Sequence, residues 1–305
     1  VGIGAAALAG LGVARAQSEG RIVLGQSAAF SGPAAQLGIQ FNQGAKLFFD
    51  QLNAAGGVGK RMVEIRTLDD GYEPDRCAEN TRKLIADDVF ALFGYVGTPT
   101  SPGAVPLFNP AKVAFFAPFT GAESLRQPFN RLAFHVRASY YDETALIVRQ
   151  LVNLGVKKIA VFHQNDAYGK AGLDGVNKAL AEHKLPLAGA ATVERNSVDV
   201  AAAVEKLVAA KPDAVVQIAA YGASAAFVRA ARKAGFGGTF YNVSFVGTQA
   251  LADELGPRAH FVPCDLADVE AIRAFVNQAA EFAGGIDYLV NNAGSILRKP
   301  AAEHP

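Results

Sequence analysis

The stretch Lys158–Gly169, KIAVFHQNDAYG, decides the fold. Its first six residues read as a buried strand, the next few as a polar turn, and a helical pattern follows over 169–183. A strand that empties into a helix is the unit of a parallel sheet, because a parallel neighbour can be reached only by a crossover. The unit repeats downstream: strand 188–193, helix 199–210, strand 213–219, helix 223–234, strand 239–244 and a short helix over 248–255. It also repeats upstream, with strands at 21–25, 62–68, 89–96, 113–118 and 132–137. Leu37, Phe41, Ala45, Phe48 and Leu52 line one helix face, which Gly56-Gly57 ends. A second helix starts near Pro74, with Ala78, Thr81 and Leu84-Ile85 inward. Ser101-Pro102 reads as an N-cap followed by proline at the first helical position. Ser139-Tyr-Tyr-Asp142 is a capping box that opens a helix through Leu154. The alternation breaks near 137–140. The expectation is therefore two α/β lobes, each a parallel sheet with helices on both faces.

The chain has 305 residues, half of them hydrophobic, which suffices for one large or two modest domains. Lys plus Arg is 29 and Asp plus Glu is 28. No basic excess exists to neutralise phosphates, so nucleic acid is not expected as a partner. Cys77 and Cys264 are too few and too far apart for a zinc site or a disulfide framework. Two free thiols is the simpler reading, and a single bridge stays open. His135, His163, His183, His260 and His304 have no metal-ligand spacing. There is no G-x-S-x-G, H-E-x-x-H or P-loop motif. His163, beside Asp166 at a strand end, has no nucleophile with it and reads as a polar loop residue. Residues 1–13 are small and apolar, and Ala14-Arg15-Ala16 precedes polar Gln17-Ser18-Glu19. That pattern is the back half of a secretory signal and its cleavage site, so 1–16 is expected as a signal remnant and the protein as periplasmic. Gly2-Ile-Gly4-Ala-Ala-Ala7 fits a dinucleotide fingerprint, but no strand precedes it, and it belongs with the signal.

In open parallel sheets ligands bind beyond the carboxyl ends of the strands. Thr98 follows strand 89–96 within Gly97–Ser101, and Phe119-Thr120-Gly121 follows strand 113–118. Tyr168 follows strand 158–163. Tyr221 lies in the loop after strand 213–219, and Ser244 ends strand 239–244. Hydroxyls and free N–H groups at helix starts suit an anion such as a carboxylate. For each residue alone, turn or capping duty is the plain alternative; as a set at strand ends they mark a ligand site.

Several of these stretches resemble one family. IVLGQSAAFSGPAAQLG (22–38), IRTLDDGYEPDR (65–76), FALFGYVGTPTS (90–101), FFAPFTGAESLR (115–126) and FHQNDAYGKAG (162–172) are similar to periplasmic substrate-binding proteins of branched-chain amino-acid ABC transporters. The resemblance covers about 21–257. It implies an α/β, two-lobed periplasmic-binding-protein fold with parallel sheets: lobe 1 over 21–137 and lobe 2, incomplete, over 138–257. It implies a monomer that closes on a small solute without catalysis or cofactor and docks onto an ABC permease in the membrane. Thr98 and the Phe119-Thr120-Gly121 turn would hold a ligand carboxylate, and Tyr168 and Tyr221 would close over it. Family members that bind α-amino acids place an acid near the segment matching 242–246. Here Asn242-Val-Ser-Phe-Val246 has none, which points to an amide, an aromatic acid or another carboxylate.

Residues 258–305 resemble something else, an internal piece of a short-chain dehydrogenase, through GIDYLVNNAG (285–294). The expectation there is a Rossmann-type β-α-β piece: strand 260–264, an amphipathic helix through Val269, Ile272, Phe275-Val276 and Ala279, and a strand in DYLVN. Asp265 would sit by the adenine and Asn291–Gly294 beside the cofactor. Yet none of the eight tyrosines has lysine four positions later, and no glycine-rich turn precedes the piece. The chain thus reads as a truncated solute-binding protein joined to a dehydrogenase fragment. The alternatives are an NAD(P)-dependent oxidoreductase, which only the tail supports, and a fusion without function.

Overall fold

Eight residues of unbroken strand, β1 (Arg21–Ala28), seed the first sheet. The computed structural model describes residues 20–257, 259, 262 and 268–283. After β1 come α1 (Ala35–Ala54), β2 (Met62–Asp69), α2 (Pro74–Ala86), β3 (Ala91–Phe93), a 3-10 turn (Ser101–Ala104), α3 (Val105–Ala111), β4 (Ala114–Phe116) and β5 (Ala133–Phe134). The strands pair in parallel in the order β2-β1-β3-β4-β5. The second sheet is built by α4 (Tyr140–Asn153), β6 (Ile159–Gln164), α5 (Ala167–Glu182), β7 (Gly189–Val193), α6 (Ala201–Ala209), β8 (Ala214–Ile218), α7 (Tyr221–Lys233) and β9 (Thr239–Asn242). Its order is β7-β6-β8-β9, again parallel. A 3-10 turn (Ser244–Val246), α8 (Thr248–Leu255) and α9 (Val269–Ala283) follow.

The two-lobed α/β architecture is as expected, and the capping box at Ser139–Asp142 forms with both of its reciprocal hydrogen bonds. Other details differ. Strand 89–96 shortens to Ala91–Phe93, and strand 113–118 to Ala114–Phe116. Gly94 (φ 61°) and Ala117 (φ 53°) take left-handed conformations that leave the pleat. One bridge, Val96 to Phe119, resumes the pairing beyond them. Strand 132–137 is only Ala133–Phe134. Ser101 is the first residue of its turn rather than the cap; Thr100 stands at the cap, and its hydroxyl donates back to the Val96 carbonyl. His163 lies inside β6, 6% exposed, with Nδ1 at the Gln164 carbonyl, so it is a core residue and not a loop residue. Ser244 opens a 3-10 turn instead of ending a strand. Cys77 is a buried free thiol. The expected helix of the tail is α9. Residues 1–16, Cys264, Asp265, the two tail strands and Asn291–Gly294 lie outside the described residues.

Lobe 1 packs Leu84, Leu92, Phe108 and Phe115 between its sheet and α2–α3. Lobe 2 packs Phe162, Leu207, Phe227 and Phe240 under α6–α7. A third cluster spans both lobes, joining Leu37, Tyr72 and Val96 to Tyr140, Tyr168, Ile218 and Phe245. No helix among the described residues is long and apolar enough to cross a membrane.

The end of β2 carries two adjacent carboxylates in opposite electrostatic settings. At Asp69 the raising effect of burial is outweighed by hydrogen bonds from Ser31, the N–H groups of Phe30 and Gly71, and Arg76, which hold it at about 2. Asp70 is fully buried; burial pushes it up to about 6 despite hydrogen bonds from Ser27 and the Tyr72 N–H. A carboxyl raised in the folded state binds its proton more tightly there than in the unfolded chain. Its contribution is present below its ordinary pKa and is lost as the pH rises through about 6. We expect Asp70→Asn to gain stability relative to wild type between pH 4 and pH 7, by about 2–3 kcal/mol at 1.36 kcal/mol per unit. Urea unfolding of both proteins across that range checks it. A constant difference would mean that Asp70 ionises normally in the fold.

Candidate ligand-binding site

The site lies where the strand ends of the two lobes face each other. From lobe 1, the positive φ of Gly97 (105°) turns the chain after the Val96 bridge and brings Thr98 inward. Thr98 and Thr120 are both buried, and their hydroxyls hydrogen-bond at 2.6 Å. Gly121 lets α4 approach: a Cβ there would come within 2.8 Å of Tyr140, whose N–H donates to the Gly121 carbonyl. From lobe 2, Asp166 caps α5 by accepting from the N–H groups of Tyr168 and Gly169, which presents Tyr168 at the helix start. Tyr168 packs against Tyr140, with ring centroids 5.3 Å apart.

Thr98, Phe119, Thr120, Gly121 and Tyr168 therefore come together. Tyr221 lies at the margin, 5% exposed, where its hydroxyl accepts the N–H of Gln36 across the lobes at 3.3 Å. Ser244 joins the site with its polar groups committed. Its N–H and hydroxyl both donate to Glu143, each at 2.7 Å, and its oxygen accepts from Arg137.

Five residues that sequence reasoning missed complete the site. Tyr72 and Phe119 of lobe 1 and Tyr168 of lobe 2 surround the buried ring of Phe245, at 6.1, 5.4 and 4.7 Å. Tyr140 stands beside the two threonines. Burial raises its pKa and the threonine hydroxyls lower it, yet the Tyr140 hydroxyl has no partner in hydrogen-bond geometry. Arg137 leaves the segment between the lobes with its guanidinium 4.4 Å over the Phe119 ring. Glu143 projects from the first turn of α4, 4% exposed, 3.7 Å from Arg137. It supplies the acid near Ser244 that residues 242–246 lack. The signal for Glu143 was available: it shares the inward stripe of Tyr140, Thr144, Ile147, Val148 and Leu151 on an otherwise apolar face. Arg137 had no comparable signal. Among the described residues no group of three or more His, Cys, Asp or Glu could hold a metal ion.

A latch closes the rim. Glu73 of lobe 1 accepts from Arg195 at 2.7 Å and from Asn196 at 2.8 Å, and Asn196 also donates to the Gly71 carbonyl. These groups are partly exposed, so the ion pair contributes only about 1 kcal/mol. We expect Glu73→Ala to raise the open fraction about five-fold, in keeping with that energy. Small-angle scattering reads this as a larger radius of gyration with no loss of secondary structure. Identical scattering from the two proteins would show that the latch does not govern closure.

The sequence from residue 21 to 293 matches the model of a periplasmic binding protein family. A possible leucine/isoleucine/valine-binding protein from Rhodopirellula baltica has a crystal structure similar to this one, with a TM-score of 0.74 and 34% identity over 88% of this chain and 76% of that chain. An amino acid binding protein of Pseudomonas aeruginosa is 25% identical over 239 residues, 77% of this chain and 63% of that protein. The chain spans less than two thirds of the length of the curated binding proteins it matches. A short likeness of another kind exists to a fatty acyl-CoA reductase of Mycobacterium tuberculosis, 49% identical over 57 residues, 18% of this chain and 19% of that protein. The relatives that cover most of the chain carry the names of binding proteins. Matched over nearly its whole described length, and folded into two lobes that meet at their strand ends, the chain belongs to the periplasmic binding protein family.

Proposed function

We propose that the protein is an exported solute-binding component of an ABC importer and takes a small carboxylate or amide, of amino-acid size, between its lobes. The observation that carries this reading is the meeting of Thr98 and Thr120 from lobe 1 with Tyr140 and Tyr168 from lobe 2. Hydroxyls buried at the junction of two lobes are where a ligand with paired oxygens finds donors and acceptors on both sides. Lobe 1 spans 21–137 and lobe 2 spans 138–257, a division supported by two sheets that share no strand. Phe119, Gly121, Tyr221 and Ser244 shape the site rather than carry charge. The rims of both lobes dock onto the permease, and the binding protein acts as a monomer. Residues 1–16 direct export to the periplasm, where the homologues reside.

The tail over 258–305 enters this reading as a dehydrogenase-derived segment without catalysis. Its NNAG motif and the short likeness to a reductase support that origin, while the family match that runs to residue 293 weighs against it.

The experiment is a thermal-shift titration of residues 17–305 with aliphatic and aromatic amino acids, their amides, simple aromatic acids and nicotinamide cofactors. A ligand that binds only the folded state at 100 times its Kd stabilises by about 2.7 kcal/mol, a rise of several degrees. We expect such a rise from at least one acid or amide and none from the cofactors. Thr120→Val should weaken the active ligand about ten-fold through loss of one buried hydrogen bond, and should also lower the midpoint without ligand, because the Thr98 hydroxyl and the Ala122 N–H lose a partner. A response to NAD(H) or NADP(H) alone would replace this reading with that of an oxidoreductase.

A further inference from the structure

The contact between Arg137 and Glu143 is unequal in a way that bears on ligand class. Both Glu143 oxygens are used, one by the Ser244 N–H and the other by the Ser244 hydroxyl. Arg137 gives Nη2 to the Ser244 oxygen, while its buried Nη1 has no partner. The Tyr168 hydroxyl, on a fully buried side chain, also has none. The Tyr168 ring lies 4.7 Å from that of Phe245, which lies 5.4 Å from Phe119, the ring under the Arg137 guanidinium, so these donors border one region. Unmet donors at one buried spot call for an acceptor group with more than one oxygen. A buried donor left unmet is costly, and a charged one more so. Around them stand the rings of Tyr72, Phe119, Tyr140, Tyr168 and Phe245, an aromatic wall for the rest of a ligand beside the hydroxyls of Thr98 and Thr120.

Resting on the proposed binding role, we propose that Arg137 is the specificity-determining residue and that the ligand is an aromatic or apolar carboxylate without an α-ammonium group. The carboxylate receives Nη1 of Arg137 and the Tyr168 hydroxyl, a charge-assisted contact that an amide satisfies poorly. Glu143 orients Arg137 through Ser244, and each of its oxygens already accepts a hydrogen bond from Ser244, which leaves an ammonium a less favourable acceptor there. The ring of Phe245, on the short turn after β9, occupies the space a ligand ring needs. Binding therefore swings the Phe245 side chain aside while Ser244 keeps its bonds to Glu143 and Arg137, and exchanges one ring for another.

The test compares matched probes on the full 305-residue chain: 3-phenylpropanoate, its amide 3-phenylpropanamide, L-phenylalanine and benzoate, by calorimetry at pH 7. We expect at least one of the two acids to bind. We also expect 3-phenylpropanoate to exceed its amide and L-phenylalanine by about 30-fold, in the range of a hydrogen bond to a charged group. Arg137→Gln should bring the acid-to-amide ratio near one, and Arg137→Lys should restore part of it. Two variants guard against a folding defect, and the wild-type ratios need no variant at all. Equal binding of acid and amide by wild type, or a ratio unchanged in Arg137→Gln, would overturn the role of Arg137. Preference for L-phenylalanine over 3-phenylpropanoate would overturn the ligand class and make Glu143 an ammonium acceptor. A cooperatively folding chain that binds none of these probes sinks the ligand class; if the wider panel of amino acids and amides is also silent, the binding role itself fails.

Discussion

A guanidinium and a carboxylate held out of water between two lobes set the terms for the rest of the structure. Removing either charge from solvent costs several kcal/mol, and attraction within the pair does not by itself repay it. Arg137 and Glu143 are offset by neighbours that come from different parts of the chain. Phe119, in the loop after β4, lies under the guanidinium. Ser244, in the turn after β9, donates twice to the carboxylate and accepts from Arg137. Arg137 itself belongs to the crossing segment, and Glu143 to the first turn of α4. Misplacing any one of these elements leaves a charge uncompensated. The cluster therefore fixes how β4 of lobe 1, the crossing, α4 and the far end of lobe 2 meet.

That meeting requires the strands to stop early. A strand that ran on through residue 96 would carry its side chains alternately to the two sheet faces and away from the lobe junction. Gly94, Gly97 and Ala117 break the pleat with positive φ, and the Ala117 conformation has a steric cost that glycine would not bear. The gain is that Thr98, Phe119 and Thr120 sit beyond the sheet edge. At β2 the same result comes from polar contacts: Asp69 and Asp70 gather the N–H groups of Phe30, Ser31, Gly71 and Tyr72. Tyr72 is thereby held against Phe245. Backbone conformation and buried polar contacts are two means to one end, a set of rigid loops on a rigid sheet.

This explains what could be read from the sequence. The long helices and β1, β2 and β6 were legible because periodicity reports burial directly, and the capping box at Ser139 was legible because its two bonds are local. Thr98, Thr120 and Tyr168 were legible because the strand-end rule is topological and needs no contact map. The short strands were overdrawn because apolar sequence continues past Phe93 and Phe116 where the backbone does not. Arg137, Glu143 and Phe245 escaped because their meaning lies in contacts more than a hundred residues apart. An acid was sought within 242–246, where alignment with relatives would place it. The fold brings Glu143 of α4 beside that segment, bonded to Ser244 rather than standing open, a placement in space that a linear motif cannot express.

The same reasoning decides how much weight a motif deserves. Asn291–Gly294 resembles a turn of the short-chain dehydrogenases, whose chemistry uses a phosphate-binding turn and a tyrosine whose proton is controlled by a nearby lysine. No tyrosine in this sequence has lysine four residues on, so the resemblance alone carries no chemistry. The cleft presents the opposite case. Its stretches carry no catalytic motif, yet hydroxyls, a guanidinium and five aromatic rings from Tyr72 to Phe245 converge on one buried region. Recognition needs groups that are placed together and left with unmet hydrogen bonds, and the lobe junction meets that condition with residues drawn from both sheets.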